Sequence, residues 1–196
     1  GKLVHAIGKI NNISEAVKLD IDKIVQAAIS NHSIDEGKMR FIDIFSRFNG
    51  GANAGHTIKL ESGRTIATHM LPSGIAYPNT INHIGAGCVL NPSKLLGEIA
   101  DVGNDVKGEL VIAGGIQVVR PDHILLDLAG ASKNGTTKNG IGPAYADRAL
   151  RSEGNLKVDI SLGEFIDMGK DKAQKTIAEI LEQRQRMYDE DGSAME

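Results

Sequence analysis

Asn49-Gly50-Gly51-Ala52-Asn53-Ala54-Gly55-His56-Thr57 is the most informative stretch of this 196-residue chain. A run of residues this small packs poorly. It is costly unless the backbone must turn sharply or approach something closely. Successive N–H groups in such a turn can form a concave nest for an anion. The spacing Gly50-xxxx-Gly55-His56-Thr57 follows that of a phosphate-binding P-loop, with His56 where a lysine usually stands. An imidazole there can donate a hydrogen bond to a phosphate oxygen, or act as an acid. A plain glycine-rich turn has the same composition, and the stretch alone does not separate the two.

The flanking sequence frames this loop. Downstream, His56 to Leu60 and Arg64 to Met70 flank Glu61-Ser62-Gly63 and predict a β-hairpin. Upstream, Phe41 to Phe48 suits either a helix or a strand. Asp35-Glu36-Gly37-Lys38 reads as a charged turn, and Lys2 to Ile7 as a short strand. Asn12 and Glu15 form a helix-start signal, and the apolar spacing from Ile13 predicts an amphipathic helix to about Asn31. Further on, Ile81 to Leu90 is expected to be one buried strand containing Gly85 and Gly87. Asn91 caps a helix that opens on Pro92 and ends near Gly103. Glu109 to Val119 reads as a strand broken at Gly114-Gly115, and Pro121 to Leu128 as a short helix. Gly135 to Pro143 is a second glycine-rich loop, followed by a helix from Ala144 to about Arg151. Ser161 and Glu164 form a capping box that opens one long helix to about Asp189. Phe165, Ala173, Ile177, Ile180 and Leu181 form its apolar face. Strands alternating with helices predict a single α/β domain over residues 1–196, with a mainly parallel central sheet and flanking helices.

Composition narrows the function classes. No apolar run approaches the roughly 20 residues of a membrane-spanning helix, so no membrane partner is expected. The net charge is −3 with no long basic run, which argues against a nucleic-acid partner. Cys88 is the one cysteine and no CxxC pair exists, so disulfide scaffolds and zinc ribbons drop out. A reducing, cytoplasmic location fits, and no signal-peptide pattern opens the sequence. His5, His32, His56, His69, His83 and His123 show neither HxxxH nor HExxH spacing, so no zinc site is expected. There is no GxSxG, and Cys88 beside Gly87 reads as a buried small residue rather than a nucleophile.

Two further clusters carry possible chemistry. In Asp35-Glu36-Gly37-Lys38, the aspartate can hold Mg²⁺ or take a proton, and the lysine can neutralise phosphate. A surface turn has the same makeup. In Gly135-Thr136-Thr137-Lys138-Asn139-Gly140, paired threonines beside glycines offer hydroxyl and N–H donors to a phosphate. Arg151, one helix length later, can reach an anion.

Taken together and in order, these motifs resemble those of adenylosuccinate synthetase. The resemblance is best from Arg47 to about Arg151. It rests on Asn49 to Thr57, Leu71-Pro72-Ser73-Gly74, Ile84-Gly85-Ala86-Gly87 and Gly135-Thr136-Thr137 with Gly140-Ile141-Gly142-Pro143-Ala144-Tyr145. Residues 1–34 are atypical. Ser33-Ile34 and Met39-Arg40 flank Asp-Glu-Gly-Lys where the family carries Trp-Gly and Gly-Lys, and a strand around Ser46-Arg47 is expected to be curtailed. The resemblance implies a P-loop-like, GTPase-related ligase fold, incomplete in this chain. It implies GTP-dependent joining of IMP and L-aspartate through 6-phosphoryl-IMP, with Mg²⁺ as cofactor and a homodimer as the working form. By motif, Asp35 matches the general base and a Mg²⁺ ligand, and His56 the acid. The Gly55 carbonyl matches a second Mg²⁺ ligand. Glu36, Gly37, Lys38, Gly55, His56 and Thr57 match GTP contacts. Asp35, Lys38, Asn53, Ala54, Gly55, His56, Thr137 and Arg151 match IMP contacts, Arg151 reaching the neighbouring subunit's nucleotide. The alternative is a catalytically incomplete nucleotide-binding or dimerisation domain of the same origin.

Overall fold

The computed structural model describes residues 44–60, 62–130 and 135–190, with side chains to 187. The expected strand at Lys2 to Ile7, the helix at Ile13 to Asn31 and the turn at Asp35 to Lys38 lie outside the described residues.

Three short parallel strands form the centre. They are β1 (Ile44–Arg47), β4 (Ile81–Ile84) and β6 (Glu109–Ile112), in the order β1-β4-β6. Ile44 sits beside Ile81, and Ile81 beside Glu109. Two residue pairs extend the same parallel arrangement, where β5 (Val89–Leu90) pairs with β7 (Gln117–Val118). A parallel bridge joins Gly50 to Cys88 in the same way. The mainly parallel α/β sheet is therefore as expected. The strand around Ser46-Arg47 is present as the four residues Ile44–Arg47, each paired with β4.

Ile81 to Leu90 is not one strand. It breaks into β4 and β5 around a turn at residues 85–88. The reason is steric: a Cβ on Gly87 would run into the Phe48 carbonyl, so the chain bends where glycine lets two backbones meet. The strand predicted from Glu109 breaks at Gly114-Gly115 as expected, giving β6 and β7.

The hairpin is present as β2 (His56–Lys59) against β3 (Thr65–Thr68), with His56 opposite Thr68. It is fastened to α1 (Pro92–Val102) at both ends. At the base, Glu98 accepts the N–H groups of His69, Met70 and Leu71 at 2.9–3.0 Å. Toward the tip, Arg64 donates to the Asp101 and Val102 carbonyls and pairs with Asp105 at 2.5 Å. The Asn91 cap of α1 forms as predicted, accepting Lys94 N–H at 3.1 Å.

Two helices differ from expectation. α3 (Ile141–Leu150) follows α2 (Pro121–Ala129) and starts three residues before Ala144, because Gly140 at φ +71° already turns the chain into it. The antiparallel pair β8 (Ser152–Glu153) and β9 (Leu156–Lys157) comes next. The single helix expected from Ser161 is two, α4 (Leu162–Met168) and α5 (Lys170–Glu190). They are parted by Gly169 at φ +74°, a left-handed conformation no helix continues through. The Ser161–Glu164 capping box is present. Phe165, Ala173, Ile177 and Ile180 of these helices are buried with Met70, Leu71, Ile84, Leu90, Leu95, Ile112 and Val118 in one core.

Candidate functional site

The first glycine-rich loop leaves β1 and folds back at Gly50, where φ is +83°. Gly51 and Ala52 are buried, whereas Asn53, Ala54, Gly55, His56 and Thr57 are exposed. Arg47 supports the loop from beneath, its Nη2 donating to the Gly51 carbonyl at 2.8 Å. The Tyr145 hydroxyl accepts Gly50 N–H at 2.9 Å. Gly51 owes its size to packing: a Cβ there would collide with Ile141 of α3 and come within 2.9 Å of Val89 Cγ2. Gly55 likewise lies against the His69 ring. Part of the glycine content is thus needed to seat the loop on the protein. The exposed half is what remains free to meet a ligand.

A cleft of about 500 Å³ opens beside this loop, with Arg47, Asn53, Ala54, His56 and Ser73 among its lining residues. It brings together three of the predicted site residues, Asn53, Ala54 and His56. Gly55 and Thr57 are their exposed neighbours in sequence. Asp35, Glu36, Gly37 and Lys38 lie outside the described residues. Cys88 is buried as expected; its thiol donates to the Arg47 carbonyl at 3.3 Å, and burial pushes its pKa up.

The second loop is anchored by one carboxylate. Asp127 of α2 accepts the Thr136 hydroxyl at 2.5 Å and Gly140 N–H at 2.8 Å. Thr136 therefore spends its hydroxyl on the loop itself, while Thr137 stays exposed. Asn139 Nδ2 donates to the Ala52 carbonyl at 3.3 Å, and its Oδ1 accepts from Lys94 at 2.7 Å. The two loops are thereby interlocked, and the sequence-predicted residues of both belong to one block. Arg151 caps α3 at φ +65° and is exposed. It does not line the cleft.

Sequence reasoning missed a buried ionic cluster on the other side of α3. Arg120 is fully buried and donates to Asp122 at 2.9–3.0 Å, to the Val158 carbonyl at 2.7 Å, and to Asp147. Arg184 of α5 pairs with Asp147 at 2.5 Å, with Glu153 at 3.0 Å, and with Asp122. His123, expected to be one of several scattered histidines, belongs to this cluster. Its Nδ1 accepts Arg120 N–H at 3.0 Å, so its Nε2 carries the proton and donates to Asp147 at 2.7 Å. Burial holds the His123 pKa below its ordinary value. Burial alone would raise Asp147. Hydrogen bonds from His123 and Arg184, with the neighbouring positive charge, outweigh it and hold the carboxyl at about 2. A signal was present: Arg184 stands four residues after Ile180, on the apolar stripe of α5, where a charge demands a partner.

Asp122, His123 and Asp147 also bring three potential ligand atoms within 4.8 Å of one another. They do not suit a cation, because two guanidinium groups already neutralise the carboxylates. Gly55 is an exposed residue, and a backbone carbonyl is a hard oxygen donor of the kind Mg²⁺ takes.

Parallel strands, flanking helices and two interlocked glycine-rich loops, the first of them lining a cleft, define an α/β protein. The chain matches the adenylosuccinate synthetase family over residues 34–195. It belongs to that family. It is 39% identical over 163 residues to adenylosuccinate synthetase 2 of Cupriavidus pinatubonensis, covering 78% of this chain and 34% of the relative. It is 45% identical over 132 residues to a Synechococcus adenylosuccinate synthetase, covering 60% and 30%. Among solved structures it resembles the fully ligated adenylosuccinate synthetase of Plasmodium falciparum, at TM-score 0.63 and 31% identity, over 76% of this chain and 35% of that one. It also resembles the cyanophage S-2L succinoaminodeoxyadenylate synthetase bound to dGMP and dATP, at TM-score 0.50 and 28% identity, over 63% and 33%. The chain thus spans about a third of the length of the curated relatives it matches. The family match begins one residue before Asp35 and runs beyond Arg151. Among the described residues, no helix is long and apolar enough to cross a membrane.

Proposed function

We propose that this chain supplies the nucleotide-binding loops for GTP-dependent ligation of IMP and L-aspartate to adenylosuccinate. The reading is carried by the interlocking of the two signature loops: Asn139 reaches Ala52 and Tyr145 reaches Gly50, which holds Asn53, His56 and Thr137 in one block. In the proposed sequence, Asp35 takes the N1 proton of IMP as O6 attacks the γ-phosphorus of GTP, and GDP leaves. The amine of aspartate then displaces phosphate from C6. His56 donates a hydrogen bond to the triphosphate, and Glu36, Gly37, Lys38, Gly55 and Thr57 complete the GTP contacts. Asn53, Ala54 and Thr137 hold IMP, and Arg151 reaches the nucleotide of the other subunit of a homodimer. Asp35 and the Gly55 carbonyl would hold Mg²⁺, which when bound neutralises phosphate charge. Phosphoryl transfer demands mainly alignment and charge neutralisation from the protein, and small polar groups on a fastened loop suit that task.

The test is adenylosuccinate formation by the purified chain from IMP, aspartate and Mg·GTP, with His56→Ala as control. Turnover that His56→Ala abolishes is the expected result. No binding of IMP by the folded chain overturns the reading. The alternative reading, a nucleotide-binding or dimerisation domain without turnover, predicts in the same assay that IMP binds and no product forms. Parallel trials with dGMP and dATP, the ligands of the cyanophage relative, test whether the base preference is shifted.

A further inference from the structure

Tyr145 has no part in the chemistry proposed above, yet its hydroxyl is fastened to the first loop. It accepts Gly50 N–H at 2.9 Å and donates to the Gly87 carbonyl at 2.8 Å, with the Gly50 carbonyl 3.3 Å away. A phenol has one proton to give and can accept in return, so the hydroxyl both donates to and accepts from the backbone here. Each end of the arrangement is fixed. Gly50 is the residue at which the loop reverses, at φ +83°. Gly87 lies in the turn between β4 and β5, pressed against the Phe48 backbone. Tyr145 itself is rooted between buried Ala144 and Asp147, and Asp147 is held by Arg120, His123 and Arg184.

Two other contacts run in the same direction, from Asn139 to the Ala52 carbonyl and from Ile141 to Gly51. All three join residues 139–145 to residues 50–52. Residues 53–57, on the far side, are exposed. The start of the loop that carries Asn53 is therefore tied to the segment that carries Thr137, while Arg47 holds Gly51 and Ala54 from β1 and hairpin pairing holds His56.

We propose that Tyr145 is a positioning residue. Its hydroxyl fixes Gly50 so that Asn53 and His56 stand in register with Thr137 for a purine nucleotide monophosphate. The ligand in this statement rests on the proposed function; the loop-holding role does not.

The experiment uses the full chain carrying Tyr145→Phe, which keeps the ring and removes one oxygen. Three quantities are read: Tm, amide exchange, and IMP affinity by calorimetry. With the Tm within a few degrees of wild type, amide exchange at Gly50 to Gly55 should rise at least about tenfold while α5 amides stay unchanged. IMP affinity should fall by about tenfold, the scale of one lost hydrogen bond. A merely structural role would lower the Tm and leave the affinity of the folded molecules alone. Unchanged exchange in a folded variant overturns the proposal, as does faster exchange with unchanged IMP affinity. If the wild-type chain binds no IMP, the ligase reading fails by itself, and exchange alone then judges Tyr145. If the variant does not fold, the wild-type Gly50 amide decides: slow exchange supports the bond to Tyr145, and exchange at the free-chain rate refutes it.

Discussion

The two sides of α3 handle polar groups in opposite ways. On the side facing the first loop, Asn53, His56 and Thr137 stand in water, and the loops beneath them are held by hydrogen bonds, several of them to backbone. On the other side, Arg120, Asp122, His123, Asp147 and Arg184 are removed from water and satisfied by one another. At the second place burial and ion pairing shift His123, Asp147 and Arg184 together. A shifted carboxyl beside a histidine is a common mark of an active site, but here it marks a joint between helices. None of those buried side chains lines the cleft. The contrast teaches that a shifted, buried carboxyl can belong to the joint that holds the fold, while the glycine-rich loop keeps its polar side chains in water.

The strongest way to break this comparison is Asp147→Asn. The change leaves Arg120 and Arg184 short of a carboxylate in a buried setting. We expect a loss of about 3–5 kcal/mol in urea unfolding followed by circular dichroism. A loss below about 1 kcal/mol would mean that water reaches the guanidinium groups and the cluster is not the sealed joint described.

Acid sharpens the same point. Asp147 is held at about 2 in the fold, below its ordinary 3.8. The unfolded chain therefore binds this proton first, and stability falls as pH drops. The contribution is roughly 2 kcal/mol, full above about pH 5 and lost between about pH 4 and 2. His123 works in the same direction. It is kept neutral by burial, so the unfolded chain gains a proton first as pH falls through its ordinary 6.5. Unfolding free energy measured from pH 7 to pH 2 should fall in both windows, and Asp147→Asn should shrink the lower one, leaving the smaller part that Glu164 contributes. A flat profile would contradict the assignment.

What could be read in the sequence, and what could not, follows the same division. The hairpin, the Asn91 cap, the Ser161–Glu164 box and the exposed loop residues were legible, because each depends on chemistry within a few residues. The break inside Ile81 to Leu90 was not, because it depends on the Phe48 backbone pressing on Gly87 from 39 residues away. The break at Gly169 carried a local signal, a glycine inside a helical pattern, that the long apolar stripe outweighed. The ionic cluster draws on α2, α3, β8 and α5, so no window of sequence contains it. Only Arg184 betrayed itself, as a charge on the apolar stripe of α5.

Gly51→Ala tests the seating of the loop. The added methyl meets Ile141 and Val89, so the loop must lift from α3 or α3 must shift. We expect a loss of about 1–3 kcal/mol in thermal unfolding, the scale of overpacking a close contact. Weaker IMP binding should accompany it if the loop lifts. A neutral substitution would show that the loop yields without consequence, and would remove the distinction between its buried and exposed halves.

The smallest effect on stability belongs to the residue with the largest proposed effect on function. His56 is exposed and opens β2 at the cleft's edge. His56→Ala removes no buried contact, so the Tm should stay within about 1–2 °C of wild type. If the imidazole assists phosphoryl transfer, adenylosuccinate formation should fall by about 100-fold or more. The two readouts must part company for the comparison to hold. Loss of Tm together with activity would place His56 among the groups that hold the fold, and unchanged activity with intact Tm would leave the exposed loop without its proposed acid.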